Sequence, residues 1–355
     1  MQAYSRSRFL WWIVPLALST LACRAATRLI IPDTPTPLPP TATLVIPTST
    51  PTTPPPTPTP VFQAACPSLL SDIMDSATGD SKGPRISRRS FRDERDLRYL
   101  VTYTLEDGRL SHRKEIYVPD NFKKELDTWS THEQLWDYFA ALIPAEQRSF
   151  VTGFSAMSDG RSQILAGVTR TNDDINDWEL RVDVLDASDH YALTYTLMHE
   201  FGHLLTLKSS QVATDKLVVF NPENEKFYEH AVTACPQYFA GDGCSMPGSY
   251  INEFFQRYWK GFYEEWKAIY KTKEEPSYSG SLHNFYKTYA DQFLTEYAAT
   301  SPEEDIAEAW AFFILAPKPD GQSIADEKIL FFYEYPELVL LRQEILTRLC
   351  ADFPK

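Results

Sequence analysis

Residues 197–205 read LMHEFGHLL and place His199 and His203 four positions apart, with Glu200 directly after the first histidine. Residues i and i+4 of an α-helix lie on the same side of it, so the two imidazoles of such a helix could converge on one ion. Glu200 would then stand beside the ion without binding it. This spacing predicts a helix that carries two metal ligands and a neighbouring carboxylate.

The segment before this motif predicts a strand followed by a buried helix. Apolar and charged residues alternate over Trp178–Leu185, which is typical of a strand with one buried face. Asp186 or Ser188 could cap the next helix, which then continues to Leu205. Gly202 lowers helix propensity by about 1 kcal/mol relative to alanine. We therefore expect a neighbouring element to pack closely against this glycine.

A catalytic zinc site has three protein ligands and one open position, so a third ligand must come from another segment. Further along the chain, Ser301 could cap a helix whose first position is Pro302. Glu304 and Glu308 are four residues apart and share a face of that helix. One of them could bind the metal while the other accepts a hydrogen bond from a metal-bound histidine. In the alternative interpretation Glu304 only completes a capping box with Ser301.

The segments HEFGH at 199–203 and EDIAE at 304–308 resemble the gluzincin metallopeptidases, in particular their lethal-factor-like branch. The resemblance covers these short motifs rather than the whole chain. It implies that Glu304 is the third zinc ligand and that Glu308 is a supporting carboxylate. It also implies that Tyr297, seven residues before the ligand, helps to stabilise the oxyanion.

The chain departs from the lethal-factor-like pattern directly after Glu304. Asp305 and Ile306 stand where that branch commonly has aromatic residues. Asp305 and Glu308 therefore remain competing assignments for the third ligand. Tyr297 has an ordinary alternative as well, because a tyrosine at this position could simply pack in the core.

The resemblance implies a zincin-like fold and zinc-dependent hydrolysis of peptide bonds. Zinc lowers the pKa of its bound water to about 7 and polarises the carbonyl group. Glu200 would accept the proton of the water and deliver it to the leaving amine, and Tyr297 would donate to the oxyanion. We expect a zinc metallopeptidase whose partner is a peptide or protein substrate. The alternative is a catalytically inactive cell-surface binding protein on the same scaffold.

The first 22 residues predict export. Two arginines precede an apolar run at 9–22 that is short for a membrane span and typical of a signal peptide at 1–22. Residues 20–23 read TLAC and resemble the lipobox of bacterial lipoproteins, which implies acylation of Cys23. We expect an extracytoplasmic lipoprotein held at the membrane by this lipid anchor. The alternatives are a secreted protein or retention by an uncleaved anchor.

The rest of the chain falls into two parts that differ in amino-acid composition. Residues 23–61 are dominated by threonine and proline, which favour extended polyproline II and cannot bury a core. We interpret them as a linker or stalk. Residues 62–355 are long enough for a large domain, which we interpret as a single α+β metallopeptidase unit.

Within 62–355 the pattern predicts a mostly antiparallel sheet that ends at the strand before the metal helix. Strands are expected at Tyr99–Leu105 and Lys114–Val118, on either side of an Asp-Gly turn, and at Gln163–Thr169. A helix is expected at His132–Ile143.

A helical insertion is expected between the two metal-binding helices, and a helical part at the C-terminus. The insertion contains aromatic residues three or four positions apart, which predicts one face of a single helix. These residues are Phe255, Trp259, Phe262, Trp266 and Tyr270. Packing in the core is their expected use.

If Cys23 is acylated, four cysteines remain: Cys66, Cys235, Cys244 and Cys350. An even number in an exported chain predicts two disulfides among three possible pairings. The natural local pair is Cys235 with Cys244, which leaves Cys66 and Cys350 to join the ends of the domain.

The chain has a formal net charge of −14 at pH 7. Proteins that bind nucleic acid present basic surfaces to the phosphates, so this balance argues against a nucleic-acid partner. The sequence predicts no particular oligomeric state.

Overall fold

The computed structural model describes residues 66–78, 98–116, 123–126, 128–159, 164–171, 174–222, 224–273 and 275–354. Contacts within the chain separate residues 1–59 from residues 60–355, and every described residue belongs to the second unit. The predicted signal peptide at 1–22, the predicted lipidation site Cys23 and the predicted linker at 23–61 lie outside the described residues.

Five strands form the main sheet in the order β2-β1-β3-β5-β4. They are β1 at Arg98–Glu106, β2 at Arg109–Glu115, β3 at Val151–Ser158, β4 at Ala166–Arg170 and β5 at Trp178–Asp183. β3 and β5 pair in parallel, whereas the other three pairings are antiparallel. The predicted α+β class is therefore confirmed, with a sheet that is mixed.

The turn between β1 and β2 explains where the second strand begins. Asp107 and Gly108 both have positive φ, 51° and 76°, which is the conformation of a two-residue type I′ hairpin turn. Glu106 consequently pairs directly with Arg109, and β2 resumes without a longer loop. The predicted start at Lys114 was therefore wrong by several residues. The alternation rule failed because β2 is an exposed edge strand with no continuous buried face.

Helices surround the sheet, and most of the chain after β5 is helical. They are α1 at Pro67–Thr78, α2 at Lys123–Leu126, α3 at Trp129–Leu142, α4 at His190–Leu207, α5 at Lys216–Phe220, α6 at Glu225–Ala234, α7 at Tyr250–Tyr258, α8 at Tyr263–Tyr270, α9 at Tyr278–Thr288, α10 at Pro302–Leu315, α11 at Ile324–Tyr333 and α12 at Pro336–Asp352. The predicted helix before β3 corresponds to α3, and the C-terminal part is helical as predicted.

One hydrophobic core joins the sheet to most of these helices. Trp136 of α3 packs edge-on against Phe154 of β3, with ring centroids 6.2 Å apart. Phe201 of α4 packs in the same way against Trp310 of α10, at 5.8 Å. The N-terminal helix α1 contacts both α4 and α10. The core thus fixes α4 and α10 against each other, which decides the geometry described below.

The motif helix α4 begins later than the sequence suggested. The carboxylate of Asp183 accepts hydrogen bonds from the backbone N–H groups of Leu185 and Asp186, so the chain turns there. Asp189 is the N-cap, and its side chain accepts from the backbone N–H of Ala192. The predicted caps Asp186 and Ser188 were therefore wrong, because this turn precedes the helix.

The aromatic insertion forms two helices rather than one. The chain leaves helical geometry after Tyr258 and re-enters it at Tyr263, which separates α7 from α8. Trp259 occupies the break and is fully buried. The predicted core packing of the aromatic residues is confirmed in the main, whereas the predicted single face was wrong because tertiary packing bends the chain at this point. Tyr270, at the end of α8, is exposed.

A small three-stranded sheet lies between α4 and α7 in the sequence. Its strands are β6 at Val212–Thr214, β7 at Phe239–Ala240 and β8 at Gly243–Ser245, in the order β6-β8-β7. A separate minor apolar cluster holds α5 and α6 against this sheet. The region formed by this small sheet, α5 and α6 contains one of the two disulfides.

Both predicted disulfides are present. Cys235 is bonded to Cys244, nine residues away, and Cys66 is bonded to Cys350, 284 residues away. Disulfides form and persist in oxidising compartments, so the two bonds indicate an extracytoplasmic environment. Among the described residues, no helix has the length and apolar character needed to cross a membrane.

We expect replacement of Cys66 and Cys350 by serine to lower the free energy of unfolding by about 5 kcal/mol, because this bond closes a very long loop in the unfolded chain. Replacement of Cys235 and Cys244 is the matched control, with an expected loss of about 3 kcal/mol. Urea unfolding monitored by tryptophan fluorescence measures both. A larger loss for the local pair would contradict the prediction.

Candidate metal centre

Three side chains from α4 and α10 converge on one point. The Nε2 atoms of His199 and His203 are 3.1 Å apart. The Oε2 atom of Glu304 lies 3.0 Å from Nε2 of His199 and 3.3 Å from Nε2 of His203. These atoms form a nearly equilateral triangle of one carboxylate oxygen and two imidazole nitrogens. His199, His203 and Glu304 could therefore bind one metal ion.

The size of this triangle fits a small tetrahedral ion. Zinc bonds of about 2.0–2.2 Å to nitrogen and oxygen place tetrahedral ligand atoms about 3.3–3.6 Å apart. The observed distances of 3.0, 3.1 and 3.3 Å are within a few tenths of an ångström of that range. Two imidazoles and one carboxylate are also a donor set that catalytic zinc uses.

The third ligand comes from the first turn of α10, and its backbone and side chain have separate partners. Ser301 is the N-cap, as predicted, and its hydroxyl accepts a hydrogen bond from the backbone N–H of Glu304. Pro302 occupies the first turn, as predicted. The Glu304 carboxylate reaches the two imidazoles, so the capping-box interpretation does not account for this side chain.

Gly202 permits the close approach of α4 and α10. A Cβ atom at this position would lie 2.9 Å from Cα of Ala307 and 3.2 Å from the ring of Trp310. Distances under 3 Å to backbone are forbidden to real side chains, so only glycine allows this spacing. The predicted close packing against Gly202 is confirmed, and the element that packs there is the helix that carries Glu304.

Glu308 orients His199 through its carboxylate. Nδ1 of His199 lies 2.8 Å from Oε1 of Glu308, one turn beyond Glu304 on α10. Because a carboxylate accepts, Nδ1 carries the proton, which leaves the lone pair of Nε2 directed at the metal position. Tyr195 and Thr295 donate to Oε2 of the same carboxylate at 3.0 and 2.8 Å. Glu308 is fully buried, and both of its carboxylate oxygens accept hydrogen bonds.

The second histidine ligand differs from the first. Nδ1 of His203 is buried and has no hydrogen-bond partner among the described residues. In the part of the chain that the structure describes, a carboxylate contacts Nδ1 of His199 but not Nδ1 of His203.

The charges of the site shift the pKa values of His199 and Glu304. Burial would lower the pKa of His199, but Glu304 and Glu308 outweigh burial and raise this pKa well above its usual value. Burial would likewise raise the pKa of Glu304, but His203 and His199 hold it well below its usual range. The side chains around the triangle thus favour positive charge at this position.

Asp305, the competing assignment for the third ligand, points elsewhere. Its Oδ2 atom lies 2.6 Å from Nζ of Lys328 and 2.7 Å from Nε1 of Trp259, and the carboxylate is fully buried. Glu308 is likewise excluded as a direct ligand by its contact with Nδ1 of His199. Of the competing acids, Glu304 is the one whose oxygen meets both imidazoles.

Glu200 and Tyr297 adjoin the triangle. Glu200 follows His199 on α4, and its side chain is largely buried. The ring of Tyr297 lies 5.5 Å from the ring of His199, on a short 3-10 turn at Tyr297–Thr300. Burial, followed by the charges of Glu304 and Glu200, raises the pKa of Tyr297 well above its usual value. Its hydroxyl is therefore protonated at neutral pH, as hydrogen-bond donation requires.

A second group of acids lies at the turn before α4. Oxygens of Asp159, Asp183 and Asp186 lie within 4.8 Å of one another. Asp183 accepts from the backbone N–H groups of Asp159, Leu185 and Asp186, and burial raises its pKa to about 6. These hydrogen bonds explain why the three acids lie close together: they form the turn that precedes α4.

Comparisons of the chain with models of protein families, with curated proteins and with solved structures found no match. The assignment of the site therefore depends on the geometry above.

Sequence reasoning missed Tyr195 and Thr295. Tyr195 lies four residues before His199 on α4, so its helical position placed it on the correct face. Thr295 gave no such signal, because it precedes α10 in an irregular segment. Its contact with Glu308 arises from the tertiary fold alone.

We expect Gly202→Ala to destabilise the chain by about 1–3 kcal/mol and to weaken zinc binding, because the added Cβ forces α10 away from α4. Gly280→Ala is the matched control, since Gly280 lies in helix α9 with open space around it. This control should be neutral or up to about 1 kcal/mol stabilising. Thermal unfolding and zinc titration measure both, and equal behaviour of the two variants would refute the role of Gly202.

We expect Glu308→Gln to weaken zinc binding about 10–100-fold, because His199 loses the carboxylate that fixes its proton and orientation. Glu344→Gln, an exposed position on α12 that pairs with Arg348, is the control and should bind zinc as the unaltered chain does. Competition with a chromophoric chelator gives both dissociation constants. Unchanged affinity in Glu308→Gln would show that this carboxylate does not support the ligand.

Proposed function

We propose that this chain is an exported zinc metallopeptidase that hydrolyses peptide bonds. The observation that carries the proposal is the triangle formed by Nε2 of His199, Nε2 of His203 and Oε2 of Glu304. Three protein ligands leave a fourth position for water or substrate, as in catalytic rather than structural zinc sites. The resemblance to the gluzincin peptidases agrees with this arrangement.

Bound zinc would act as a Lewis acid that lowers the pKa of water and polarises the scissile carbonyl. Glu200, beside His199, would accept one proton from the attacking water as its oxygen bonds to the carbonyl carbon. It would then deliver that proton to the amine nitrogen as the C–N bond breaks. Tyr297 would donate a hydrogen bond to the oxyanion. Glu308, with Tyr195 and Thr295, would keep His199 in place through both steps.

The edge of the main sheet supports a peptide as substrate. β4 pairs with β5 along one side only and is the outer strand of the sheet. An extended peptide could add to such an edge through backbone hydrogen bonds. β4 also contacts α4, the helix that carries the histidines. A peptide bound at this edge would lie near the helix that carries the histidines.

The proposed setting is the cell surface. The two disulfides fit a protein that folds after export. The lipobox-like residues 20–23 and the acylation of Cys23 complete the proposal, with release as a secreted protein as the alternative. Mass spectrometry of Cys23 in the purified membrane fraction would decide between them.

We expect the unaltered chain to contain one zinc ion and to hydrolyse peptides, and Glu200→Gln to retain the zinc while losing hydrolysis by at least about 100-fold. The loss is expected because an amide cannot accept the proton. His203→Ala is the contrasting variant, which should lose both zinc and activity. Elemental analysis and mass-spectrometric profiling of a peptide library measure these properties.

A zinc-loaded chain that cleaves no peptide in a broad library would reject the peptidase. It would favour the alternative of a cell-surface binding protein on this scaffold. Hydrolysis that persists in Glu200→Gln would instead reject the assigned proton acceptor and leave the metal centre intact.

A further inference from the structure

A buried ion pair lies on a different side of α10 from the histidines. Lys328 of α11 and Asp305 of α10 are both fully buried, with Nζ and Oδ2 2.6 Å apart. Trp259, at the break between α7 and α8, donates to the same oxygen at 2.7 Å. The ammonium of Lys328 also lies 4.3 Å from the ring centroid of Phe293. The pair thus joins α10 to α11 and to the aromatic insertion.

A buried ion pair such as this one contributes little net free energy to the stability of a core. Removing two charges from water costs several kcal/mol per ion, and well-packed apolar residues of similar volume are often as stable or more stable. Oδ1 of Asp305 is buried and has no hydrogen-bond partner among the described residues, which adds to the cost. Stability alone therefore does not account for the pair.

The position of the pair suggests its use. Asp305 directly follows Glu304 in the first turn of α10, and successive residues of a helix project about 100° apart. Glu304 faces the imidazoles of α4 while Asp305 faces Lys328 and Trp259. Further along α10, contacts such as Ala307 against Gly202 and Glu308 with His199 hold the helix against α4. Within the first turn, Lys328 and Trp259 hold Asp305, and the hydroxyl of Tyr238 donates to the carboxylate of Glu303.

We propose that Lys328 and Trp259 are positioning residues for the metal ligand Glu304. By holding Asp305, they fix the rotation of the first turn of α10, so that the Glu304 carboxylate stays in contact with both imidazoles. The pair thereby sets the affinity for the metal and the geometry of its coordination. Neither residue touches the metal or a substrate. The role concerns metal binding and so does not require that the chain be a peptidase.

The test removes the two charges while keeping the shapes of the side chains. In the double variant with Asp305→Asn and Lys328→Met, the side-chain amide at position 305 still accepts a hydrogen bond from Trp259. Neither charge of the ion pair remains. We expect this double variant to fold with a thermal unfolding midpoint close to that of the unaltered chain and to bind zinc about 10–100-fold more weakly. The visible absorption bands of the Co²⁺-substituted chain should change in position and intensity, because the third ligand is no longer held. A merely structural role would not alter those bands.

Arg342 provides a matched control at the other end of the same helix. This largely buried cation of α12 donates to the backbone carbonyls of Phe313 and Ala316, where α10 ends. Arg342→Met should lower the unfolding midpoint and leave the zinc affinity and the Co²⁺ bands unchanged. An equal loss of zinc affinity in this control would overturn the proposal, because any loosening of α10 would then suffice.

Trp259→Phe is a milder variant that leaves both charges in place. It removes one hydrogen bond to Asp305, and we expect a loss of zinc affinity of about threefold to tenfold. Unchanged affinity and unchanged Co²⁺ bands in this variant and in the folded double variant would overturn the proposal. An unaltered chain that binds no zinc would reject the metal centre itself, and this role with it. Zinc binding without hydrolysis would reject only the peptidase.

Discussion

The site depends on how closely α4 and α10 approach each other. A helix with two histidines on one face offers two ligands, and a carboxylate at the correct distance must come from a different part of the chain. The contact of Gly202 with Ala307 sets that distance, since any side chain at position 202 would meet backbone at less than 3 Å. The 3.0–3.3 Å separations of the donor atoms follow from this backbone contact. The candidate metal centre is thus a consequence of packing between two helices.

Three carboxylates of α10 have different partners because they point in different directions around the helix. Glu304 faces the imidazoles, Glu308 is held by His199, Tyr195 and Thr295, and Asp305 is held by Lys328. All of these carboxylates lie within two turns of one helix, where like charges repel. Each carboxylate instead has its own partners, and these lie on different sides of the helix. The three acids that the sequence left as competing assignments for the third ligand therefore have three different sets of contacts.

Periodic and local signals in the sequence predicted the two helices that carry the candidate site and part of the main sheet. The helix spacing of His199 and His203, the Ser301 cap and both disulfides are confirmed, since each follows from short-range geometry or from a small number of pairings. The start of β2 and the break at Trp259 were wrong, because an exposed edge strand lacks alternation and tertiary packing can bend an aromatic helix. Lys328 gave no sequence signal at all, since a lysine is normally expected at the surface.

The bond between Cys66 and Cys350 also determines how the domain responds to mechanical force. Cys66 directly precedes α1, and Cys350 lies in the last turn of α12. Tension that reaches Cys66 from the preceding chain divides between the peptide bond into α1 and the sulfur bridge into α12. The residues between the two cysteines, which are 284 positions apart, lie within a covalent loop that such tension cannot extend. Because α4 and α10 lie between the two cysteines in the sequence, the shielded part includes the helices that carry His199, His203 and Glu304.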